Sequence, residues 1–196
     1  MGKVEENKQN KKTRLMNTAF YLFTTKGFAR TTIADIVHDA DMAKGTFYLY
    51  FRDKYELQEK LIAWKAEELF RHAIHESGYE KLNDPTDQII AVIDDIINQA
   101  QKNPALLRFI NKNLSWGIFR RAIGQSDVAI LPFFQKILPF EDPQELELVI
   151  YTIVEIVGST CYSVILDQDP VDLDTYRPYL HRIIRGILTM PKNKEV

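Results

Sequence analysis

Apolar side chains at Leu15, Met16, Ala19, Phe20, Leu22 and Phe23 repeat on one face of a 3.6-residue period and predict a helix over 11–26. Gly27 can take the left-handed conformation that closes a helix, and Phe28 can fold back onto its last turn. Thr32 and Asp35 then stand in capping-box register and predict a short helix over 33–40. A turn at 39–42 follows. The next stretch, Lys44 to Phe51, is rich in β-formers. Its context overrides that preference, because Phe47 and Phe51 at i and i+4 can anchor a second short helix after a tight turn. A helix over 54–77 carries Leu57, Leu61, Trp64, Leu69, Phe70 and Ile74 on one stripe and would span about 35 Å at 1.5 Å per residue. Helices are also predicted from Pro85, with Ile89, Ile93, Ile96, Ile97 and Ala100 inward, and over 105–116, 118–138, 143–166 and 173–188.

The segment 144–166 is apolar nearly all round, so it must be covered on every side. One chain of this size does not supply that cover, and the segment 173–188 is also strongly apolar. A second copy sharing these two helices in a four-helix contact is expected, which makes the protein a homodimer. A membrane span is not expected, since the longest uncharged apolar run, 156–166, falls short of the roughly 20 residues required. The basic N-terminus lacks the apolar run of a secretory signal.

Composition sharpens this picture. Only 8 Gly and 8 Pro in 196 residues argue against a sandwich of many short strands and leave an all-α fold. A single cysteine, Cys161, excludes an internal disulfide and suits a reducing compartment, so the cytoplasm is expected. Its apolar surroundings read as those of an inert core thiol. Charge is divided unevenly. Residues 1–54 hold 10 Lys and Arg against 6 Asp and Glu, a net of +4, whereas 55–196 hold 15 against 21, a net of −6. The expected organisation is a first domain over 1–54, which meets a polyanion, and a second domain over 55–196 with another task.

The ordered set Thr31-Thr32-Ile33-Ala34-Asp35-Ile36, Lys44-Gly45-Thr46-Phe47-Tyr48-Leu49-Tyr50-Phe51, Asp53-Lys54 and Leu57 resembles the N-terminal domain of the TetR family of bacterial transcriptional regulators. The likeness covers roughly residues 11–60. It implies a three-helix helix-turn-helix domain, a C-terminal helical domain for ligand binding and dimerisation, and a double-stranded DNA operator as partner. It also implies an unidentified small-molecule inducer and repression that the inducer relieves. Asp41, Ala43 and Leu49 depart from the family's usual Gly, Ser and His. Asp tolerates the left-handed region, but Ala43 cannot cap the recognition helix, so Asp41 is a substitute cap.

The residues themselves support the same chemistry. A helix fits the major groove. There Gly45 lets the backbone come close, Thr46 can meet a base, and the hydroxyls of Tyr48 and Tyr50 can reach phosphates. Lys44 supplies charge, and Lys54 at a helix start, with the hydroxyls of Thr31 and Thr32, would clamp phosphate. Lys11, Lys12 and Arg14 either track the backbone or enter a minor groove, or else form a mobile basic tail.

In the second half, Trp64, Trp116, Phe119, Tyr151, Glu155 and Tyr162 are candidate ligand contacts. Glu155 stands among Ile153, Val154, Ile156 and Val157, so it either meets a cationic or hydrogen-bonding ligand or forms an intersubunit salt bridge. His72 and His75 with Glu76 read as surface residues rather than metal ligands. No cofactor, metal or catalytic constellation is expected, and the protein is not read as an enzyme. The alternative is a helical small-molecule-binding protein or an adaptor for other proteins, neither of which would bind DNA.

Overall fold

In the computed structural model, residues 3–125, 130–138 and 140–189 are described. Ten helices are found among them and no strand: α1 (Lys3–Thr25), α2 (Ile33–Asp39), α3 (Lys44–Tyr48), α4 (Lys54–Glu76), α5 (Pro85–Lys102), α6 (Pro104–Asn113), α7 (Trp116–Gln125), α8 (Ile130–Ile137), α9 (Pro143–Leu166) and α10 (Leu173–Leu188). The expected all-α class is what the chain adopts. Two compact units divide it, Met1–Lys65 and Ala66–Val196. The division falls inside α4, whereas the sequence reading put it at the start of that helix.

The first unit closes around Leu15, Ala19, Ile36, Phe47, Phe51, Leu57 and Leu61, each at most 1% exposed. α1 ends as its sequence predicts. Gly27 has φ 89°, and Phe28 folds back so that its ring lies 5.1 Å from that of Phe23. α2 opens on a complete capping box. The Thr32 hydroxyl accepts from the Asp35 N–H at 3.1 Å, and the Asp35 carboxylate accepts from the Thr32 N–H at 2.8 Å. Asp41 takes the left-handed conformation at φ 50°, so the turn into α3 forms without glycine.

The second unit packs α5 to α10 with the later part of α4 around Ile89, Ile97, Phe119, Ile150, Leu180 and Ile184. Asp84, Asn103, Asp142 and Asp172 each cap the helix that follows, and Pro occupies the first turn after the first three.

Three expectations are corrected. α1 begins eight residues earlier than position 11, so the basic residues Lys8, Lys11, Lys12 and Arg14 lie on a helix rather than in a tail. Of the predicted helix 118–138, α7 and α8 are seen at its two ends, and residues 126–129 between them lie outside the described residues. α6 stops at Asn113, and Ser115 opens α7 by accepting the Ile118 N–H at 3.4 Å. Finally, α9 does have the length and composition of a membrane-crossing helix, with a mean hydropathy of 1.8 over 18 residues. Leu146, Ile150, Ile153, Cys161 and Val164 on α9 join the second unit's core, which accounts for part of that apolarity.

Candidate functional site

α3 is five residues long and is held by its aromatic residues. Phe47 is fully buried, its ring 5.6 Å from Phe51 and 5.4 Å from Tyr48. With that side anchored, Lys44, Gly45 and Tyr48 are exposed, Thr46 and Tyr50 are half-buried, and Leu49 just beyond the helix is 76% exposed. A Cβ built on Gly45 would meet no atom within 4 Å. Nothing inside the chain therefore requires glycine there, although glycine weakens a helix. Ala43 is the N-cap and makes no side-chain capping bond. Asp41 does not substitute for it, because its carboxylate takes Arg14 at 3.2 Å, and that pairing also occupies a side chain expected to follow DNA.

Two of the expected phosphate contacts are corrected. Thr31 is 0% exposed, and its hydroxyl donates to the Gly27 carbonyl at 2.8 Å. The Lys54 ammonium donates to the carbonyls of Phe28 at 2.8 Å and Thr31 at 2.7 Å and sits 4.3 Å from the Phe28 ring centroid. A cation satisfies the orphan carbonyls between α1 and α2, so Lys54 is a clamp for the turn. The start of α4 is already occupied by carboxylates. Asp53 accepts the Glu56 N–H at 2.8 Å, which holds its carboxyl below the usual carboxylate range, and Glu56 accepts the Arg52 N–H. Thr32 stays exposed at the start of α2, but its hydroxyl oxygen serves the cap. Beside it, a hydrogen bond from Lys26 at 2.7 Å, followed by the Thr32 N–H, lowers the Asp35 carboxyl to about 2.

The second unit contains an apolar cavity of about 130 Å³. Leu69 and Phe70 of α4, Ile93 of α5, Leu107 of α6, Phe119 of α7 and Val157 of α9 are among its walls. A more polar cleft of about 290 Å³ shares the walls Ile110, Leu114, Phe119, Val154 and Gly158 with it. Trp116, Phe119 and Glu155 line this cleft, as predicted residues brought together, and Asn111, Ser115 and Ser159 join them.

Three candidates fall elsewhere. Trp64 belongs to the first unit, 4.4 Å from the Lys65 ammonium. Tyr151 packs edge-on to Trp116 at 5.0 Å without lining either space, and Tyr162 is half-buried outside both. The cavity stripe of α9 runs through Ile150, Ile153, Val154, Val157 and Cys161, and Tyr151 and Tyr162 each lie one position off it. Burial raises the Cys161 thiol to about 11, so it is not a nucleophile. His72 pairs with Asp95 at 3.0 Å instead of converging on His75 and Glu76.

Two short helices joined by a tight turn, the second anchored by buried phenylalanines and exposed on its other side, define a helix-turn-helix DNA-binding protein. The comparisons refine this. Residues 15–61 match the model of bacterial regulatory proteins, tetR family. An uncharacterized HTH-type transcriptional regulator of Bacillus subtilis (strain 168), YerO, is 48% identical over 44 residues, which cover 22% of this chain and 15% of the relative. The chain matches less than half the length of its curated relatives. A TetR-like transcriptional regulator from Rhodococcus sp. RHA1 superposes with a TM-score of 0.61 at 18% identity, covering 92% of this chain and 97% of that one. The regulator FadR from Bacillus subtilis, solved in complex with stearoyl-CoA, gives a TM-score of 0.60 at 15% identity and covers 92% and 99%. At these identities the structures speak for the fold. Residues 15–61 thus form a helix-turn-helix DNA-binding domain of the tetR type, and over 92% of its length the chain shares the fold of a TetR-like transcriptional regulator.

Proposed function

We propose that this protein is a cytoplasmic, ligand-responsive repressor that binds a pseudo-palindromic operator as a homodimer and leaves it when a small-molecule inducer enters the second unit. The observation that carries this reading is that one helix serves both units. α4 contributes Leu57 and Leu61 to the core that seats α3, and further along it contributes Leu69 and Phe70 to the wall of the cavity. A ligand that favours one position of that wall biases the position of the helix, and it can do so only through a difference in affinity between the two states.

On the DNA side, Lys44 contacts phosphate, Thr46 and Tyr48 face the groove, and Tyr50 reaches the backbone with its hydroxyl. Gly45 admits the close approach that its empty surroundings permit. Thr32 offers its hydroxyl proton to a phosphate, since only the oxygen is engaged in the cap. Recognition helices must stand about 34–36 Å apart to enter successive major grooves, and a dimer sets that distance. Leu148 on α9 is 57% exposed and Tyr179 on α10 is 53% exposed, and only 22% of the most apolar window of α9 is buried within the chain. A second copy covering α9 and α10 accounts for these surfaces.

FadR's stearoyl-CoA suggests an apolar ligand, but the cleft here offers a carboxylate where an acyl-CoA would bring phosphates. The test is selection of bound fragments from genomic DNA followed by footprinting. Two protected half-sites about one helical turn apart are expected. A single unpaired half-site would overturn the dimeric reading, and no selected DNA would overturn the function.

A further inference from the structure

Resting on the reading of the second unit as a ligand-binding domain, the geometry points to an organic cation as its ligand: one aryl ring or short alkyl group in the cavity, and a substituted ammonium in the adjoining cleft between Glu155 and Trp116. The apolar end is set by size and lining. A dry cavity of about 150 Å³ takes a benzene-sized guest, and the cavity here measures about 130 Å³ with no charged side chain on its walls. The polar end is set by the cleft. Among the described residues lining it, Glu155 is the one charged side chain, and no cation among the described residues pairs with it.

Aromatic faces complete the site. The Trp116 ring stacks on Phe119 at 5.3 Å and 29°, and Tyr151 braces its edge at 5.0 Å, which fixes the indole in the wall of the cleft that Glu155 also lines. A fixed indole and a carboxylate in the walls of one cleft favour substituted ammonium groups over neutral or anionic ones. Phe119 lines both spaces, as do Ile110, Leu114, Val154 and Gly158, so one ligand can place an apolar group in the first and a cation in the second. Asn111 is committed elsewhere, donating to the Gly158 carbonyl at 2.9 Å, which leaves Ser115 and Ser159 as the further polar contacts.

The test is calorimetric titration of the full chain with benzyltrimethylammonium, its neutral isostere neopentylbenzene, and phenylacetate. Glu155→Gln is expected to weaken the cation about fivefold, the scale of a partly exposed ion pair, while leaving neopentylbenzene unchanged and improving phenylacetate. Trp116→Leu should also weaken the cation more than the neutral isostere, and Val157→Trp, which fills the cavity, should remove binding of both. No binding of the cation, or equal losses for cation and isostere in Glu155→Gln, overturns the assignment. So does a Glu155→Gln variant that changes only the sedimentation of the dimer, which would make the carboxylate an intersubunit partner. These failures are separable from failure of the regulator reading: a chain that ignores the cation yet binds its selected operator loses only the ligand assignment.

Discussion

The frame around α3 and the region around the cavity are held by different means. In Met1–Lys65 the short helices are fixed by directional bonds: the Thr32–Asp35 capping box, the Lys54 clamp on two carbonyls, the buried Thr31 hydroxyl and the Lys26–Asp35 pair. In Ala66–Val196 the cavity region is walled almost wholly by apolar side chains, whose packing has no preferred direction and leaves space. A five-residue helix cannot hold its own shape, so its exposed side chains are presented in a defined geometry only because the frame around them is tied down. A region that adapts to a ligand gains from contacts that can slide.

The strongest way to break this contrast is at the anchor of α3. Phe47→Ala should cost about 3–5 kcal/mol, read as a fall in the unfolding midpoint with loss of DNA binding. Lys54→Met is the sharpest test of the frame. It leaves the Phe28 and Thr31 carbonyls without their donor and should cost about 2–3 kcal/mol, measured by chemical denaturation. Weaker DNA binding at unchanged stability would instead return Lys54 to phosphate contact. Gly45→Ala should stabilise the first unit by about 0.5–1 kcal/mol, because a helical glycine in open space is replaced without a clash, and yet it should weaken operator binding.

The smallest effect concerns acid. Asp35 is held at about 2 against its ordinary 3.8, so its contribution is present above about pH 4 and is lost as pH falls toward 2. Asp35→Asn should therefore flatten the decline of stability between pH 4 and 2 in a denaturation series. A curve as steep as the wild type would remove the pair from the frame.

Much of the first unit was legible in the sequence because its signals are local. Gly27, the Thr32 box and the Phe47–Phe51 spacing each act within a turn or two of the chain. Lys54 was misassigned because its partners lie far along it. Lys54 bonds to residues 23 and 26 positions away, and a lysine at a helix start reads as a surface charge or a phosphate contact until the fold brings those carbonyls to it. The cavity was hidden for a related reason. Ile93, Leu107 and Val157 have the same periodicity whether they pack against protein or line a void, so the neighbourhood was marked by Glu155, a carboxylate in an apolar run, and by the aromatic residues Trp116 and Phe119. Asn111, Ser115 and Ser159 had no such contrast with their surroundings and went unread.

The most direct test of the account is the salt dependence of binding to the selected operator, measured by fluorescence anisotropy for the wild type, Lys44→Ala and Tyr48→Ala. The account predicts affinity that falls steeply with salt, and a logarithmic slope shallower by about one for Lys44→Ala. It also predicts binding weaker by about five- to tenfold for Tyr48→Ala at an unchanged unfolding midpoint. Wild-type affinity and slope in both variants would contradict the placement of α3 on DNA.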